Sequence, residues 1–295
     1  MKYLIAGIFL LTAALLPAAE FDWAKAPSIY PGIKLIKMAL EEPRMMKIFF
    51  CRIDLQTPGL SFTVTDKDPK WGEKMPDDPD GKFVIRSRRE RTVDFMENAR
   101  KKGVKMVVAA NAAAWSPWKA PWNHTYADTL GLHISNGVVV SERGKMSYPS
   151  FYVDRKGTPH IGHRIPKEQY KEILHAVSGF GYVLREGKIL AKKPDGKKKI
   201  YLAPRTSYGL SRDKRYFYIL VVDGRQPLRS KGADMYDLGK MMLEAGAYTA
   251  LNMDGGGSSS LVYWDEKENK AHFVNQHRLG IQRKVGASLG IILKR

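Results

Sequence analysis

The chain has 295 residues, 44% hydrophobic and 27% charged, which is enough apolar material for one large folded domain or two small ones and excludes a disordered or collagen-like polymer. Lys and Arg number 49 against 30 Asp and Glu, and a formal net charge of +19 selects anionic partners such as phosphorylated glycans or envelope polymers. The one cysteine, Cys51, excludes an internal disulfide and any CxxC zinc site.

Residues 1–19, MKYLIAGIFLLTAALLPAA, combine Lys2, an apolar run from Tyr3 to Leu16 and the small pair Ala18 and Ala19, the pattern of an export signal. The run is shorter than the roughly 20 residues of a membrane span. The segment is therefore expected to be the chain's contact with the membrane and to be removed near Ala19, leaving a periplasmic or extracellular protein. Such a protein meets envelope polyanions before genomic DNA, so no specific nucleic acid is expected.

Next come β-like runs, GIKLIKMAL, MKIFFCRIDL and LSFTVT, broken at Glu42-Pro43 and Thr57-Pro58-Gly59. Residues 66–90 are rich in Pro, Asp, Lys and Gly and read as a long surface loop. Thr92 is expected to cap a helix over TVDFMENARKKG, with Gly103 as its stop and the strand KMVVAAN behind it. The loop WSPWKAPWNHTYADT carries Trp115, Trp118, Trp122 and Tyr126, whose faces suit either a pyranose or their own packing; His124 within it is a candidate proton carrier. Residues 130–190 read as β-rich, and KKPDGKKK at 192–199 as a solvated basic turn.

From Pro204 onward the order is informative. RTSYGLS and RYFYILVV are two β runs about the turn Arg212-Asp213-Lys214, followed by a helix over ADMYDLGKMMLEAGA and the strand YTALNM. The span from Tyr216 to Met253 thus has the βαβ order of two parallel neighbours joined by a right-handed crossover. It predicts an α/β (α+β) domain with a mixed central sheet and packed helices over residues 28–294. Both strands end in an acid, Asp223 and Asp254, which places two carboxylates at one sheet edge. Pairing the first two runs brings Arg205 beside Asp223, and Asn111 ends another strand suited to the same edge.

Two such carboxylates fit the acid and base, or acid and nucleophile, of glycosidic cleavage. Arg205 and Arg225 offer planar donors for phosphate oxygens. Gly255, Gly256 and Gly257 would turn the backbone and present N–H groups to an anion, with Ser258 and Ser259 adding hydroxyls. GGSSS lacks the closing glycine of GxSxG, and no HExxH or phosphate-loop spacing occurs. No cofactor is required by this reading, although Asp223 and Asp254 are the pair that would hold Mg²⁺ or Ca²⁺.

PRTSYGLSRDKRYFYILVVDGRQ at 204–226 and SKGADMYDLGKMMLEAGAYTALNMDGGGSSSLVY at 230–263 resemble the core of the phosphodiester glycosidase family. VVAANAAAW at 107–115 resembles an earlier family motif, with Ala113 where the family usually carries glycine, and QRKVGASLGI resembles its closing strand with Arg283 at the basic position. The resemblance implies cleavage at the anomeric carbon of a sugar phosphodiester. It places Arg205, Asp223, Asn252, Asp254 and the following glycines in the site, with Ser230 of the SKG motif beside them. The expected partner is a phosphorylated or anionic glycan. The alternatives are a non-catalytic binder of anionic polysaccharide and a metal-dependent phosphodiesterase that cuts P–O.

Overall fold

The structure, a computed structural model, describes residues 21–76, 78, 80–118, 124–144, 148–194 and 200–294. The expected export signal at 1–19 lies outside the described residues, as does Trp122.

The architecture is mostly β, which corrects the α/β expectation: four antiparallel sheets and two α-helices, Thr92–Lys101 (α1) and Met235–Glu244 (α2), among the described residues. The largest sheet has eight strands in the order Ser28–Tyr30, Ile33–Leu40, Met46–Asp54, Tyr216–Val222, Arg205–Leu210, Thr249–Asn252, Gly181–Arg185 and Lys188–Ile189. The expected hairpin forms in register, from Arg205 opposite Val222 to Leu210 opposite Phe217. That hairpin is also why the crossover expectation fails. Arg205–Leu210 pairs antiparallel with Thr249–Asn252 on its other side, Ser207 opposite Asn252, and so inserts between the two strands predicted to be neighbours. Tyr216–Val222 and Thr249–Asn252 run parallel but two positions apart, roughly 10 Å at ordinary strand spacing. Their ends still share one edge.

A five-stranded sheet packs on the first, with Met106–Asn111 between Leu261–Asp265 and Ser288–Leu293. Side-chain alternation, offset by a bulge near the start of the Met106–Asn111 strand, makes both contacts. Val108 and Ala110 join Tyr208, Phe217, Ile219 and Leu251 in the central core, while Met106 and Ala109 meet Phe95 and Met96 of α1 on the outer face. The eight-stranded sheet does the same, presenting Phe50, Tyr218, Leu220 and Val222 to Leu238, Met241 and Met242 of α2. A β-sandwich with one helix on each outer face results.

Both helices start where local chemistry allows. Asp234 accepts from the Asp237 amide at 2.8 Å and Asp237 returns the bond, a capping box ahead of α2. For α1 the cap is Arg91, one residue before the expected Thr92, whose side chain faces Ser288 Oγ at 3.3 Å instead.

Candidate active site

Asp223 ends its strand in a fully enclosed position, 1% exposed. Its backbone is pinned twice: the Asp223 amide donates to Lys47 O at 3.0 Å, and the Ser230 hydroxyl donates to Asp223 O at 2.6 Å while accepting from the Lys47 amide. Ser230, itself buried, therefore positions the strand end. The carboxylate accepts from Asn275 Nδ2 at 3.2 Å and from the Gln276 amide, and pairs with Arg229 Nη1 at 3.2 Å. Burial pushes its proton affinity up, against the pull of Asn275, Gln276 and Arg229.

Asp254 sits at the other strand end, anchored through its backbone. Its amide donates to Ala112 O at 3.0 Å, and Asn111 Nδ2 donates to Asp254 O at 2.7 Å. Oδ1 accepts from the Gly255 amide, while Oδ2 is buried without a hydrogen-bond partner among the described residues. Burial raises this carboxyl to about 6, with the nearby Ser258 hydroxyl and Arg283 charge pulling the other way.

Asn111 reaches the predicted edge, but as a fully buried hub. Besides its donor bond, its Oδ1 accepts from Thr206 Oγ1 at 2.7 Å and from the Ser260 amide at 2.9 Å. One side chain thus ties the strand end of each sheet to the start of the Asp254 loop.

Arg205 lies opposite Val222 as expected, yet its guanidinium does not meet Asp223. Nε donates to Ala233 O at 3.1 Å and Nη2 to Tyr201 O at 3.4 Å, and the carboxylate's guanidinium partner is Arg229. Arg225 lies within electrostatic reach of both Arg205 and Arg283, and Arg283 of Asp254. Three guanidinium groups thus converge above the Asp254 loop, and burial lowers the proton affinity of Arg205 and Arg283.

The glycines act differently from expectation. The Gly255 and Gly256 amides donate inward, to Asp254 Oδ1 and Pro204 O, rather than to a ligand. What the missing side chains admit is arginine: a Cβ at Gly256 would lie 3.2 Å from Arg225 Nη1, and one at Gly257 only 2.7 Å from Arg283 Nη2. Gly256 also has φ +64°, a region costly for other residues. Ser258 Oγ, Ser259 Oγ and Asn252 Oδ1 are buried and, like Asp254 Oδ2, make no well-aligned hydrogen bond among the described residues, although Ser258 lies near enough to Asp254 to favour its charged form. Such a cluster of unmatched oxygens beside one carboxylate suits a polyhydroxylated ligand.

A cleft of about 870 Å³ is lined by Asp223, Arg225, Gly256, Gly257, Ser259, Asn275 and Arg283. Asp254 and Arg205 are buried and are not among its lining residues. Trp118, half-exposed, faces the Arg283 guanidinium at 4.8 Å, whereas Trp115 is buried under Arg89 at 3.9 Å, so the aromatic loop contributes both packing and a ring near the cleft. His124 is buried and does not line it. Among the described residues, the one trio with metal-ligand spacing is Asp265, Glu268 and His272, at the far end of the Leu261–Asp265 strand and without Asp223 or Asp254.

Sequence reasoning missed Thr206, Arg229, Asn275 and Gln276. Thr206 sits inside the quoted RT pair, but no spacing rule links Asn275 to an aspartate 52 positions earlier.

The phosphodiester glycosidase family profile matches residues 101–292. The chain is 25% identical over 201 residues to N-acetylglucosamine-1-phosphodiester alpha-N-acetylglucosaminidase of Bos taurus, covering 63% of this chain and 36% of that protein. It is likewise 25% identical over 259 residues to the SPbeta prophage-derived uncharacterized protein YomE of Bacillus subtilis, covering 80% and 37%. It therefore spans little more than a third of the length of these curated relatives. Its fold matches the zebrafish N-acetylglucosamine-1-phosphodiester alpha-N-acetylglucosaminidase catalytic domain auto-inhibited by pro-peptide, with a TM-score of 0.59, 19% identity and coverage of 92% and 86%.

Proposed function

The chain belongs to the phosphodiester glycosidase family, and from that premise we propose that it hydrolyses a sugar-1-phosphodiester at the bond between the anomeric carbon and oxygen. With the export signal expected at 1–19, the substrate would be an envelope or extracellular glycan. One observation carries the reading: a buried carboxylate with an unmatched oxygen, Asp254 Oδ2, is followed in the chain by glycines whose missing side chains leave room for Arg225 and Arg283 at the cleft.

The roles follow from charge. A phosphate monoester is a good leaving group once its negative charge is balanced, so the guanidinium cluster, more than an acid, assists its departure. Asp223, held by three donors as an acceptor, stabilises the positive charge that develops on the sugar. Asp254, raised to about 6, is poised as a general base near operating pH. Water attacks the anomeric carbon and gives a proton to Asp254, the C–O pair leaves with the phosphate, and a free sugar and a phosphomonoester result.

A base must be deprotonated to work. On a small sugar-1-phosphodiester, kcat/KM is therefore expected to fall as pH drops through about 6, the raised value of Asp254, and to level off above it. A profile flat from about pH 5 to 8 would exclude Asp254 as that base.

A further inference from the structure

Two loops form the rim of the cleft, residues 224–232 and 275–284. They are tied together by Gln226 Nε2, which donates to Gln276 O at 3.0 Å. Their outward side chains are unusually apolar: Leu228 is 94% exposed, Leu279 83% and Ile281 72%. Single exposed apolar residues are ordinary on a soluble surface, but three on adjoining loops around one opening are not. Leu279 is moreover held at φ +58°, a left-handed conformation that disfavours a bulky side chain and persists only where the surroundings impose it. The leucine is left exposed at the mouth of the cleft.

Charge identifies what such a rim meets. The two loops carry Arg225, Arg229, Lys231, Arg278, Arg283 and Lys284, and neither contains an aspartate or glutamate. Apolar tips set in a field of one positive sign match the two layers of an anionic bilayer, acyl chains beneath phosphate head groups. A polyanion in solution would use the cations and leave the leucines wet.

We propose that the rim of the cleft is a membrane-docking surface: Leu228, Leu279 and Ile281 enter an anionic lipid interface while the exposed Lys231, Arg278 and Lys284 contact its phosphates. The cleft then faces the head groups, and the substrate class becomes a lipid-linked sugar-1-phosphodiester, whose sugar enters while its lipid stays in the bilayer. This last step rests on the hydrolase reading above; the docking itself does not.

Because Cys51 is fully buried, a cysteine introduced at the rim can be labelled selectively. A polarity-sensitive dye on Leu279→Cys is expected to brighten and shift to the blue with phosphatidylglycerol-containing vesicles. The same dye on Leu243→Cys, at the C-terminal end of α2 and 40% exposed, should not respond. Adding Leu228→Ser and Ile281→Ser to the labelled chain keeps every charge and should weaken the response at least about tenfold in lipid concentration. A silent dye at 279, an equal response at 243, or a double substitution without effect would overturn the proposal, the last showing that charge alone holds the chain. So would a dye shift without vesicles that grows with protein concentration, which would identify a second copy as the occupant. The dye reads docking without turnover, so an inactive protein that docks leaves this surface standing, and an active one that does not leaves the hydrolase standing.

Discussion

Asp254→Asn is expected to lower kcat by at least about a thousandfold and, at neutral pH, to make the protein more stable. Both effects have one cause. The native state holds an ionisable carboxyl with 6% exposure, one oxygen unmatched, and its proton affinity raised from 3.8 to about 6. Above pH 6 the native state must keep that group charged, at a cost of about 3 kcal/mol relative to the unfolded chain. Below about 3.8 both states are protonated and the cost disappears, so the native state gains stability as pH falls through this window. An asparagine of the same shape carries no charge and escapes the cost at every pH. Urea unfolding should therefore show the variant ahead by up to about 3 kcal/mol at pH 7.5, with the lead shrinking as pH falls below 6. A variant that is inactive and also less stable at pH 7.5 would mean that the carboxylate is structural. A strained, charge-burying group retained at the expense of stability is expected of a working residue.

Asn111→Ala is expected to cost about 3–5 kcal/mol of stability. Asn111 makes three buried side-chain hydrogen bonds, to Asp254 O, Thr206 Oγ1 and the Ser260 amide, and alanine strands all three partners away from water. Turnover should fall too, because the Asp254 backbone loses one of its two ties to the end of the Met106–Asn111 strand, keeping only its amide bond to Ala112 O. Thr206→Val removes only the hydroxyl that donates to Asn111 Oδ1 and should cost about 1–2 kcal/mol, so the pair separates the hub from one of its spokes. Unfolding of the alanine variant within about 1 kcal/mol of the parent would show the hub to be dispensable.

The acid-tipped strands were readable because each is an apolar run that stops at an aspartate, and the hairpin register placed Arg205 opposite Val222. The helix over ADMYDLGKMMLEAGA was readable from its apolar spacing at Met235, Leu238, Met241, Met242 and Ala245, of which all but the half-buried Met235 are buried. Sheet order was not readable, for a physical reason. Tyr216–Val222 is covered on one face by the second sheet, through Phe217 and Ile219, and on the other by α2, through Tyr218 and Leu220. A strand buried on both faces loses its alternation and looks like a parallel-sheet strand, although here it is antiparallel to both neighbours. Arg205 was expected to join the carboxylates because backbone register says where a residue sits, not where a long side chain turns. The glycine run implied free N–H groups, whereas the fold spends two of them internally and uses the vacated space for arginine.

The proposed attack of water on the anomeric carbon, with Asp254 as its base, predicts which bond breaks. Hydrolysis of a sugar-1-phosphodiester in ¹⁸O-labelled water reads it directly. Label recovered in the released sugar, with none in the phosphomonoester, is the expected result, since water attacks carbon; label in the phosphate would mean attack at phosphorus and would contradict the account.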